Sequence, residues 1–314
     1  MITYNPTEEV DRRPEKHVLI DADVVAYWGS AGTDDMQPRV AERKCDIRMN
    51  QILDECRAGN YTAYLTGADN FRDGIATLQR YKGNRYDKNG KRIKPQPVHL
   101  MRCKDYLVEE WNAIWAKNEE ADDALSIHRS KYAPDDPNYI ISTIDKDLLI
   151  NYGYHHNMNT GKIQHVPVEI KPLEIIVKTS KTTGKTSNKV EGVGLMFFYA
   201  QMLMGDAADW IKGLPKVTDD MKECWSDMRR GGCGAMTATH VLKDCVSELQ
   251  LHMNVWFCYY SYWMEHDYKH WDTGKVFKAG IETARKQFIE QGQLLWMRKR
   301  EKELWQPKYP MEAI

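Results

Sequence analysis

One stretch decides how the chain is organised: EADDALSIHRSKYAPDDPNYIISTIDKD, residues 120–147. Its apolar spacing predicts a helix from about residue 121, which puts an opening group of acids on the first helical turn. The apolar, β-branched run YIISTI predicts a buried strand, and a second group of acids follows it. Ligands of open α/β sheets bind at the carboxyl ends of strands. The acids of the two groups are Glu120, Asp122, Asp123, Asp145 and Asp147.

Capping is the simpler explanation for acids at a helix start, because they accept hydrogen bonds from the first N–H groups and complement the helix dipole. That explanation accounts for one or two acids. Five converging carboxylates would raise one another's pKa unless a cation lay among them. The pattern therefore favours a metal site, provided that other strands deliver acids to the same edge.

Two other predicted strands deliver such acids. The run HVLI, residues 17–20, ends on Asp21, and the run YTAYLT, residues 61–66, is followed closely by Asp69. Parallel strands that alternate with helices predict an α/β fold with these ends at one edge.

Size and composition are those of a globular protein of one or two domains: 314 residues, 42% apolar and 28% charged. No apolar run is long enough to cross a membrane, so no membrane partner is expected. Residues 1–16 are polar, lack the apolar core of a signal peptide and are predicted to form a loose tail. Seven cysteines without paired spacing favour reduced thiols in a cytoplasm and give no zinc motif.

The formal net charge is −1, which by itself does not suggest a nucleic-acid partner. If nine of the 45 acids bind metal, the remaining acids are eight fewer than the 44 lysines and arginines. The distribution of charge therefore matters more than its total.

The segment RYKGNRYDKNGKRIK, residues 80–94, has seven bases, one acid and two tyrosines. A solvated loop is the plainer explanation of such a charge run. The interleaved aromatic residues and the Gly/Asn content favour a nucleic-acid clamp that combines phosphate contacts with base stacking. The predicted contact residues are Arg80, Tyr81, Lys82, Arg85, Lys88, Lys91 and Arg92.

The rest of the chain gives weaker predictions. Residues 152–166 predict a polar hairpin, and residues 178–189 predict a mobile basic loop. Its Gly184-Lys185-Thr186 is not a nucleotide-binding loop, because the required first glycine is replaced by Thr179. Residues 194–204 predict an apolar helix. The glycine turns at 211–215 and 231–234 suit either a phosphate site or an ordinary turn between helices.

Taken together and in order, the motifs resemble those of the flap-endonuclease-like 5′ nucleases, and most of all the stand-alone 5′→3′ exonucleases of bacteriophages. The similarity covers about residues 17–307. The endings FIEQGQ at 288–293 and LWQP at 304–307 are similar to those of the podovirus-type exonucleases. The motifs that carry the resemblance are Asp21, Asp69, YKGNR at 81–85, EADD at 120–123, TIDKD at 143–147 and GDAAD at 205–209.

The resemblance implies a 5′-nuclease, PIN-like fold: a mixed, Rossmann-like central sheet flanked by helices. It implies a nuclease domain over residues 17–192, with a helical arch at about 72–100. Residues 193–314 would form a helical region whose helix–three-turn–helix binds duplex DNA.

The resemblance also implies two Mg²⁺ ions per site, which Mn²⁺ can replace. The implied ligands of one ion are Asp69, Glu120 and Asp122, those of the other are Asp145, Asp147 and Asp206, and the outer ligands are Asp21, Asp123 and Asp209.

Lys82 and Arg85 resemble the family residues that meet the scissile phosphate, with Arg72 assisting them. A K⁺-assisted duplex site is implied at Lys212, Gly213, Gly232 and Gly234. The chain departs from the family here, because residues 216–231 interrupt the hairpin.

The implied function is a two-metal-ion 5′→3′ exodeoxyribonuclease with flap endonuclease and RNase H-like activity in phage DNA replication or recombination. Its implied partners are double-stranded and 5′-flapped DNA and an RNA–DNA hybrid, and it would act as a monomer in the host bacterial cytoplasm.

Two alternatives remain open. In a haloacid-dehalogenase-type phosphatase, Asp21 would be the nucleophile and Asp23 the general acid. This alternative leaves the acids at 120–123 and the basic segment without a role, and its metal motif should follow a strand. A catalytically inactive DNA-structure-binding protein would lack metal ligands, and all nine are present here.

Overall fold

The structure is a computed structural model that describes residues 10–180, 183–225, 228 and 231–314. Residues 1–9 of the predicted tail lie outside this part. The first strand begins at Arg13, whose N–H donates to the carbonyl of Arg57 at 3.0 Å. The tail prediction is therefore corrected for residues 13–16, because main-chain pairing orders even their polar sequence. No helix in the described part combines the length and apolarity that a membrane crossing requires.

The chain divides into two compact units, which the following paragraphs describe separately. The first unit contains the described residues of Met1–Phe71, Lys94–Pro167 and Met297–Glu303. The second contains those of Arg72–Ile93, Val168–Trp296 and Leu304–Ile314. The functional domain boundary near residue 192 stays a prediction, since this division follows compactness alone.

The first unit is built on a six-stranded mixed sheet. Its strands are β1 (Arg13–Asp21), β2 (Ala58–Leu65), β3 (Ile114–Trp115), β4 (Tyr139–Thr143), β5 (Gly153–Asn157) and β6 (Lys162–Val166). Their order across the sheet is β3-β2-β1-β4-β5-β6. Strands β1 to β5 are parallel to their neighbours, and β6 runs antiparallel to β5. The predicted mixed sheet and the predicted hairpin at 152–166 are confirmed.

The central position of β1 decides where the acids lie. Asp21 is level with Tyr64 of β2, and Ile20 is level with Ser142 of β4. The carboxyl ends of the three strands therefore meet at one edge, as the sequence predicted.

Four helices pack around this sheet in the first unit, and a fifth begins at its boundary. They are α1 (Ala22–Ser30), α2 (Pro38–Cys56), α4 (Leu100–Trp111) and α5 (Ala121–Arg129), with the short α3 (Phe71–Ile75) at the boundary. The core joins Val18 and Ile20 of β1 to Met49 and Ile52 of α2 and Leu107 of α4, all of them fully buried. The hydrophobic effect of this burial holds the sheet edge in place.

The second unit is mainly helical. Its helices are α6 (Gly194–Met204), α7 (Asp219–Cys224), α8 (Ala235–Leu242), α9 (Glu248–Trp263) and α10 (Ile281–Leu295). Its three two-stranded sheets are β7–β8 (Glu174–Thr179 and Thr186–Glu191), β9–β10 (Gly205–Asp206 and Ile211–Lys212) and β11–β12 (Tyr268–Lys269 and Val276–Phe277). Helix α6 is buried along nearly its whole length, as its apolar sequence predicted.

Two local predictions are corrected. Residues 76–99 contain no α-helix, only the 3₁₀ turn Gly83–Arg85, so the implied arch is not helical there. A Gly/Asn-rich run of like charges provides no apolar stripe on which a helix could pack. The predicted loop at 178–189 is instead largely the β7–β8 hairpin, apart from residues 181–182, which lie outside the described part.

Candidate active site

Asp21, the last residue of β1, is the most deeply placed acid at the carboxyl edge of the sheet. It is 5% exposed and forms the N-cap of α1, where its Oδ1 accepts a hydrogen bond from the N–H of Val24 at 3.3 Å. Its Oδ2 accepts a hydrogen bond from Thr143 Oγ1 at 2.9 Å. Strand position and capping geometry together fix this carboxylate.

The charge of Asp21 is poorly compensated. Burial, and then repulsion from Asp23, raises the pKa of Asp21 to about 7, with a smaller contribution from Asp145. The hydrogen bonds from Thr143 and Val24 act in the opposite direction. Carboxylates that lie close together raise one another's pKa in this way.

Two threonines hold the acids on either side of β1, and no sequence pattern indicated this role. Thr143 at the end of β4 donates to Asp21 and accepts a hydrogen bond from the N–H of Asp145 at 3.0 Å. Thr66, directly after β2, donates its N–H to Asp23 Oδ2 at 2.8 Å and accepts at Oγ1 from the N–H of Ala121 at 3.0 Å. The strand ends are thus tied to the starts of α1 and α5.

Asp23 also forms an ion pair that the sequence did not predict. Its Oδ1 lies 2.5 Å from Lys104 Nζ, and this ammonium group lies 5.5 Å from the ring centroid of Trp115. The pair places a cation beside the acid that the phosphatase alternative needs as a proton donor.

Asp145 and Asp147 follow β4 as predicted and share a tight turn. Asp145 Oδ1 accepts a hydrogen bond from the N–H of Asp147 at 2.9 Å. Asp147 is 9% exposed, and its Oδ1 lies 3.6 Å from Lys146 Nζ. The turn holds both carboxylates close to the strand end.

The three acids of the EADD motif lie at the start of α5, as predicted. Glu120 occupies the N-cap position without making a side-chain capping bond, while Asp122 and Asp123 lie in the first turn. Asp123 is fully buried and accepts a hydrogen bond at Oδ1 from the N–H of Arg298 at 3.2 Å. This contact gives Asp123 a structural role that the sequence did not indicate.

Asp69 is the most exposed of the predicted ligands in the first unit. It lies beside a pocket of about 670 Å³ that Thr66, Lys104 and Trp115 help to line. The loop between Leu65 and Asp69 passes close to other backbone, because a Cβ at Gly67 would overlap the carbonyl oxygen of Ala116.

In the described part of the chain, no three Asp, Glu, His or Cys side chains are arranged to hold one metal ion. The acids at the sheet edge nevertheless offer only carboxylate oxygens, which are the ligands that Mg²⁺ and Mn²⁺ prefer. Burial, and then repulsion from Asp23 and Asp145, raises the pKa of Asp21, and a bound cation would offset that repulsion. The donor chemistry fits a hard divalent cation, and coordination would require side-chain movement.

Asp206, in the second unit, is 3% exposed and organises a turn. Its Oδ1 accepts hydrogen bonds from the N–H groups of Ala208 at 2.6 Å and Asp209 at 3.1 Å. The motif follows helix α6 and not a long strand, which disfavours the phosphatase alternative.

Asp209 is paired with the two residues that the resemblance made catalytic. Its Oδ1 lies 3.1 Å from Arg85 Nη2 and 3.5 Å from Lys82 Nζ. Its Oδ2 accepts a hydrogen bond from the hydroxyl of Tyr81 at 2.7 Å. The basic segment is therefore folded onto the GDAAD turn, with Asp209 balancing the two bases.

Two predicted DNA contacts are corrected by their burial. Tyr81 is 4% exposed, so its ring offers no face for a base to stack on. Arg72 is 1% exposed and donates to the carbonyl oxygens of Leu294 at 2.9 Å and Trp296 at 3.1 Å. Both residues hold the fold of the second unit together.

The other predicted contacts of the basic segment are accessible. Arg80 lies with its Cζ 4.8 Å from the ring centroid of Tyr86. Lys88 and Lys91 are exposed, Arg92 is half-buried, and Tyr86 pairs with Arg92 in a small bridge. The segment thus presents its cations on a turn built around Asp87, whose Oδ1 accepts two main-chain hydrogen bonds.

The FIEQGQ ending at 288–293 was noted only through the family resemblance. Its side chains bond to the main chain just before the basic segment and at Lys212 of the predicted duplex site. Glu290 is 4% exposed and accepts hydrogen bonds from the N–H groups of Thr77 at 2.7 Å and Leu78 at 3.1 Å. Gln291 donates to the carbonyl of Lys212. The burial of Glu290 and Gln291 is seen only in the structure, where buried polar side chains are normally hydrogen-bonded.

Backbone hydrogen bonds join the chain segments on either side of the insertion at 216–231. Cys233 N–H donates to the carbonyl of Leu214 at 3.2 Å, and Val217 N–H donates to the carbonyl of Gly231 at 2.9 Å. The ends of the insertion therefore meet; within it, residues 226–227 and 229–230 lie outside the described part.

The glycines of the hairpin differ in their surroundings. A Cβ at Gly213 would overlap the carbonyl of Leu203, so close backbone packing requires this glycine. Gly232 and Gly234 are exposed, and Gly234 precedes α8 without a side-chain cap. Lys212, in the same unit, is also exposed.

Comparison with solved structures identifies the fold. The T5 5′-exonuclease with divalent zinc ions bound is 13% identical to this chain, with 89% of each chain covered and a TM-score of 0.51. The T5 D15 protein co-crystallised with metal ions is 13% identical over 76% of this chain and 78% of that chain, with a TM-score of 0.47. The catalytic core of Rad2 in complex with DNA substrate is 11% identical over 80% of this chain and 67% of that one, with a TM-score of 0.38.

No protein-family model matches the chain, and no curated protein matches it either. The first of the three structures shows that the chain has the fold of a flap-endonuclease-like 5′ nuclease. The fold predicted from the order of the motifs is confirmed, with its mixed six-stranded sheet flanked by helices. The helix–three-turn–helix of the C-terminal region stays a prediction.

Proposed function

We propose that this chain is a divalent-metal-dependent nuclease that hydrolyses phosphodiester bonds at the 5′ ends of DNA. The observation that carries the proposal is the meeting of three strand ends at one sheet edge, where burial and neighbouring acids raise the pKa of Asp21 to about 7. The fold shared with the T5 5′-exonuclease, a structure that holds divalent ions, supports it.

The proposed metal ligands of the first unit are the acids of the sheet edge and of α5. Asp69, Glu120, Asp122, Asp145 and Asp147 are proposed to bind the ions directly, with Asp21 and Asp123 acting through water. Asp206 and Asp209 of the second unit are proposed as further ligands. Two Mg²⁺ ions, when bound, activate a water molecule and stabilise the leaving 3′ oxygen.

The chain's own residues hold and prepare this site. Thr143 and Thr66 donate hydrogen bonds to Asp21 and Asp23 and so fix the orientation of these two carboxylates. Lys82 and Arg85 are proposed to stabilise the charge on the phosphoryl oxygens, because preorganised cations act where charge develops. For that purpose they must leave Asp209, whose ion pairs with Lys82 and Arg85 are partly exposed and therefore screened by solvent.

Duplex DNA is the proposed substrate, with a 5′ flap or an RNA–DNA hybrid as further substrates. A K⁺ ion is proposed at the hairpin of Gly213, Gly232 and Gly234. The exposed cations Lys88, Lys91 and Lys212 supply positive charge for phosphates. These activities suit DNA replication or recombination.

A 5′-labelled flapped duplex tests the proposal. We expect short labelled products in Mg²⁺ or Mn²⁺, none in EDTA, and none from Asp145→Asn in Mg²⁺. The Asp145→Asn variant should still bind the duplex, since it removes one ligand and no DNA contact. Cleavage by this variant near the wild-type rate would contradict the assignment of Asp145.

A phosphatase assay with p-nitrophenyl phosphate distinguishes the nuclease proposal from the main alternative, a phosphatase. Asp23→Asn removes the general acid of the phosphatase and would abolish that activity. For the nuclease we expect a modest loss, because Asp23 bonds to Thr66 and Lys104 and is not a proposed ligand.

A further inference from the structure

The second unit carries a two-stranded ribbon that the proposed cleavage site does not use. Strands β7 and β8 pair antiparallel over six residue pairs, from Glu174 opposite Glu191 to Thr179 opposite Thr186. The turn is closed by the N–H of Ser180, which donates to the carbonyl of Lys185 at 2.9 Å. We call this segment, Glu174–Glu191, the basic ribbon.

The outer part of the basic ribbon is surrounded by solvent. Every described residue from Val177 to Lys189 is exposed, and the Val177 side chain is 66% exposed. The base is anchored, because Ile175 and Ile176 are half-buried and α8 packs against both strands. An isolated two-stranded hairpin is marginally stable. The tip therefore adds little to the core, and folding alone does not explain its composition.

Between Glu174 and Glu191, the two acids at its ends, the basic ribbon carries charge of one sign. Residues 175–190 contain four lysines and no acid. Lys178, Lys185 and Lys189 are described and exposed, and Lys181 lies outside the described part. Lys178 forms an ion pair with Glu191 at 3.4 Å, in which both side chains are more than half exposed. Solvent weakens such a pair, so a phosphate can replace the carboxylate.

The register sorts the ribbon's side chains by face. Lys178 and Lys189 share one face, since they lie opposite Ser187 and Ile176. Thr179, Thr186 and Asn188 share the other face with Val177. Lysines and short hydroxyl or amide side chains are the groups that contact DNA phosphates. A two-stranded β-ribbon also has the width that the major groove of B-DNA admits.

We propose that the basic ribbon binds double-stranded DNA, with its lysines on the phosphates that border a groove. The choice of DNA rests on the proposed function. The ribbon packs against α8, which begins directly after Gly234 of the predicted duplex-binding hairpin. The ribbon would therefore extend the proposed duplex-binding surface of the second unit.

Equilibrium binding without cleavage tests the proposal. The variant Lys178→Gln/Lys185→Gln/Lys189→Gln is titrated with a fluorescent blunt duplex in EDTA at several KCl concentrations. We expect its affinity to fall about tenfold or more at low salt. The slope of log K against log[KCl] should shrink by about 2–3, since each neutralised phosphate contributes about 0.9.

A second hairpin of the same unit provides the matched control. Lys269→Gln/Lys275→Gln/Lys278→Gln alters the charge equally on β11–β12, where Asp267 forms an ion pair with Lys278. We expect this control to retain most of the affinity and the slope. Replacing the three ribbon lysines with arginine should restore binding, and all variants should melt near the wild-type temperature because the substituted side chains are exposed.

Each contrary result has a distinct meaning. An unchanged affinity and slope in the ribbon variant would overturn the ribbon proposal and leave the nuclease proposal standing. Equal losses in ribbon and control variants, or an equal loss for single-stranded oligonucleotides, would also overturn it. A wild-type protein that neither cleaves nor binds duplex DNA would overturn both proposals at once.

Discussion

The hydroxyl of Thr143 donates a hydrogen bond to Asp21 Oδ2 at 2.9 Å and so joins the ends of two neighbouring strands. The hydroxyl oxygen of Thr143 also accepts a hydrogen bond from the N–H of Asp145 at 3.0 Å. One threonine therefore orients two acids from different strand ends. Its contribution to the pKa of Asp21 is downward, against burial and the neighbouring acids.

Replacing Thr143 with valine removes both bonds at nearly constant volume. We expect the pKa of Asp21 to rise further and metal affinity to fall about tenfold, since a proton then competes better with the ion and one hydrogen bond is worth about 1 kcal/mol. Calorimetric titration with Mn²⁺ at several pH values measures this. Thr143→Ser, which keeps the hydroxyl, should bind metal like the wild type, and a Thr143→Val variant with unchanged affinity would refute the role.

Asp21 should make the metal-free protein less stable as the pH rises. Its folded pKa of about 7 lies above its ordinary value of 3.8. A group with a raised folded pKa contributes stability at low pH, and that contribution is lost as the pH rises through about 7. In EDTA, the free energy of unfolding of Asp21→Asn should therefore rise relative to that of the wild type as the pH increases from about 4 to about 7. The expected difference is a few kcal/mol, since one pKa unit corresponds to about 1.36 kcal/mol.

Urea unfolding at pH 5 and at pH 7.5 measures this difference. Added Mg²⁺ should restore wild-type stability at the higher pH, because a ligand bound only by the folded state stabilises it. Asp135→Asn, at an exposed acid, is the control and should track the wild type. A constant difference between Asp21→Asn and wild type at both pH values would contradict the expectation.

Variants of Lys82 and Asp209 can distinguish the roles of these two residues. If Lys82 meets the scissile phosphate, Lys82→Ala should slow single-turnover cleavage far more than it weakens duplex binding. If Asp209 only balances Lys82 and Arg85, Asp209→Asn should cleave normally at ordinary metal concentrations. If it is also a metal ligand, Asp209→Asn should need more Mg²⁺ for half-maximal rate. Equal losses of binding and rate in Lys82→Ala would make the basic segment a general tether.

Gly292 tests the packing of the FIEQGQ ending. Alanine normally stabilises a helix relative to glycine by up to about 1 kcal/mol. A Cβ at Gly292 would overlap the Trp305 ring, so Gly292→Ala should instead destabilise, by about 1–3 kcal/mol. Thermal melting measures the sign. Gly74→Ala, in α3 with no atom near the added Cβ, is the control and should not destabilise.

The sheet could be predicted because its signals are local. Val18, Leu19 and Ile20 of the short apolar strand are fully buried. The acids at the strand ends converge because β2, β1 and β4 are neighbouring parallel strands. The hairpin at 152–166 and helix α6 follow in the same way from alternation and apolar length.

The rest depended on contacts between distant residues, which no local pattern encodes. Tyr81 in the basic segment and Arg72 before it were predicted to contact DNA, but both are buried. Tyr81 bonds to Asp209, and Arg72 bonds to the carbonyl of Leu294. In the sequence, nothing distinguishes Asp123 from its neighbouring acids. In the structure it accepts a hydrogen bond from the N–H of Arg298, which is distant in the chain. The basic ribbon looked like a loop because its strands are polar on both faces and give no alternation.

A variant of Asp122 can test whether the acids at the start of α5 stabilise the helix or bind metal. It lies in the first turn, where an acid complements the helix dipole, while the N-cap position belongs to Glu120. If Asp122 acts only on the helix, Asp122→Ala should cost about 0.5–2 kcal/mol, with or without metal. If it belongs to the metal site, its removal in EDTA relieves repulsion among the acids.

The two explanations predict different orders of melting temperature. For a metal ligand, Asp122→Ala should melt at or above the wild type in EDTA and below it in millimolar-scale Mg²⁺, because the wild type gains more from the bound ions. Asp135→Ala, which changes an exposed acid outside α5, controls for net charge. Melting curves displaced downward by the same amount in both buffers would assign Asp122 to the helix alone.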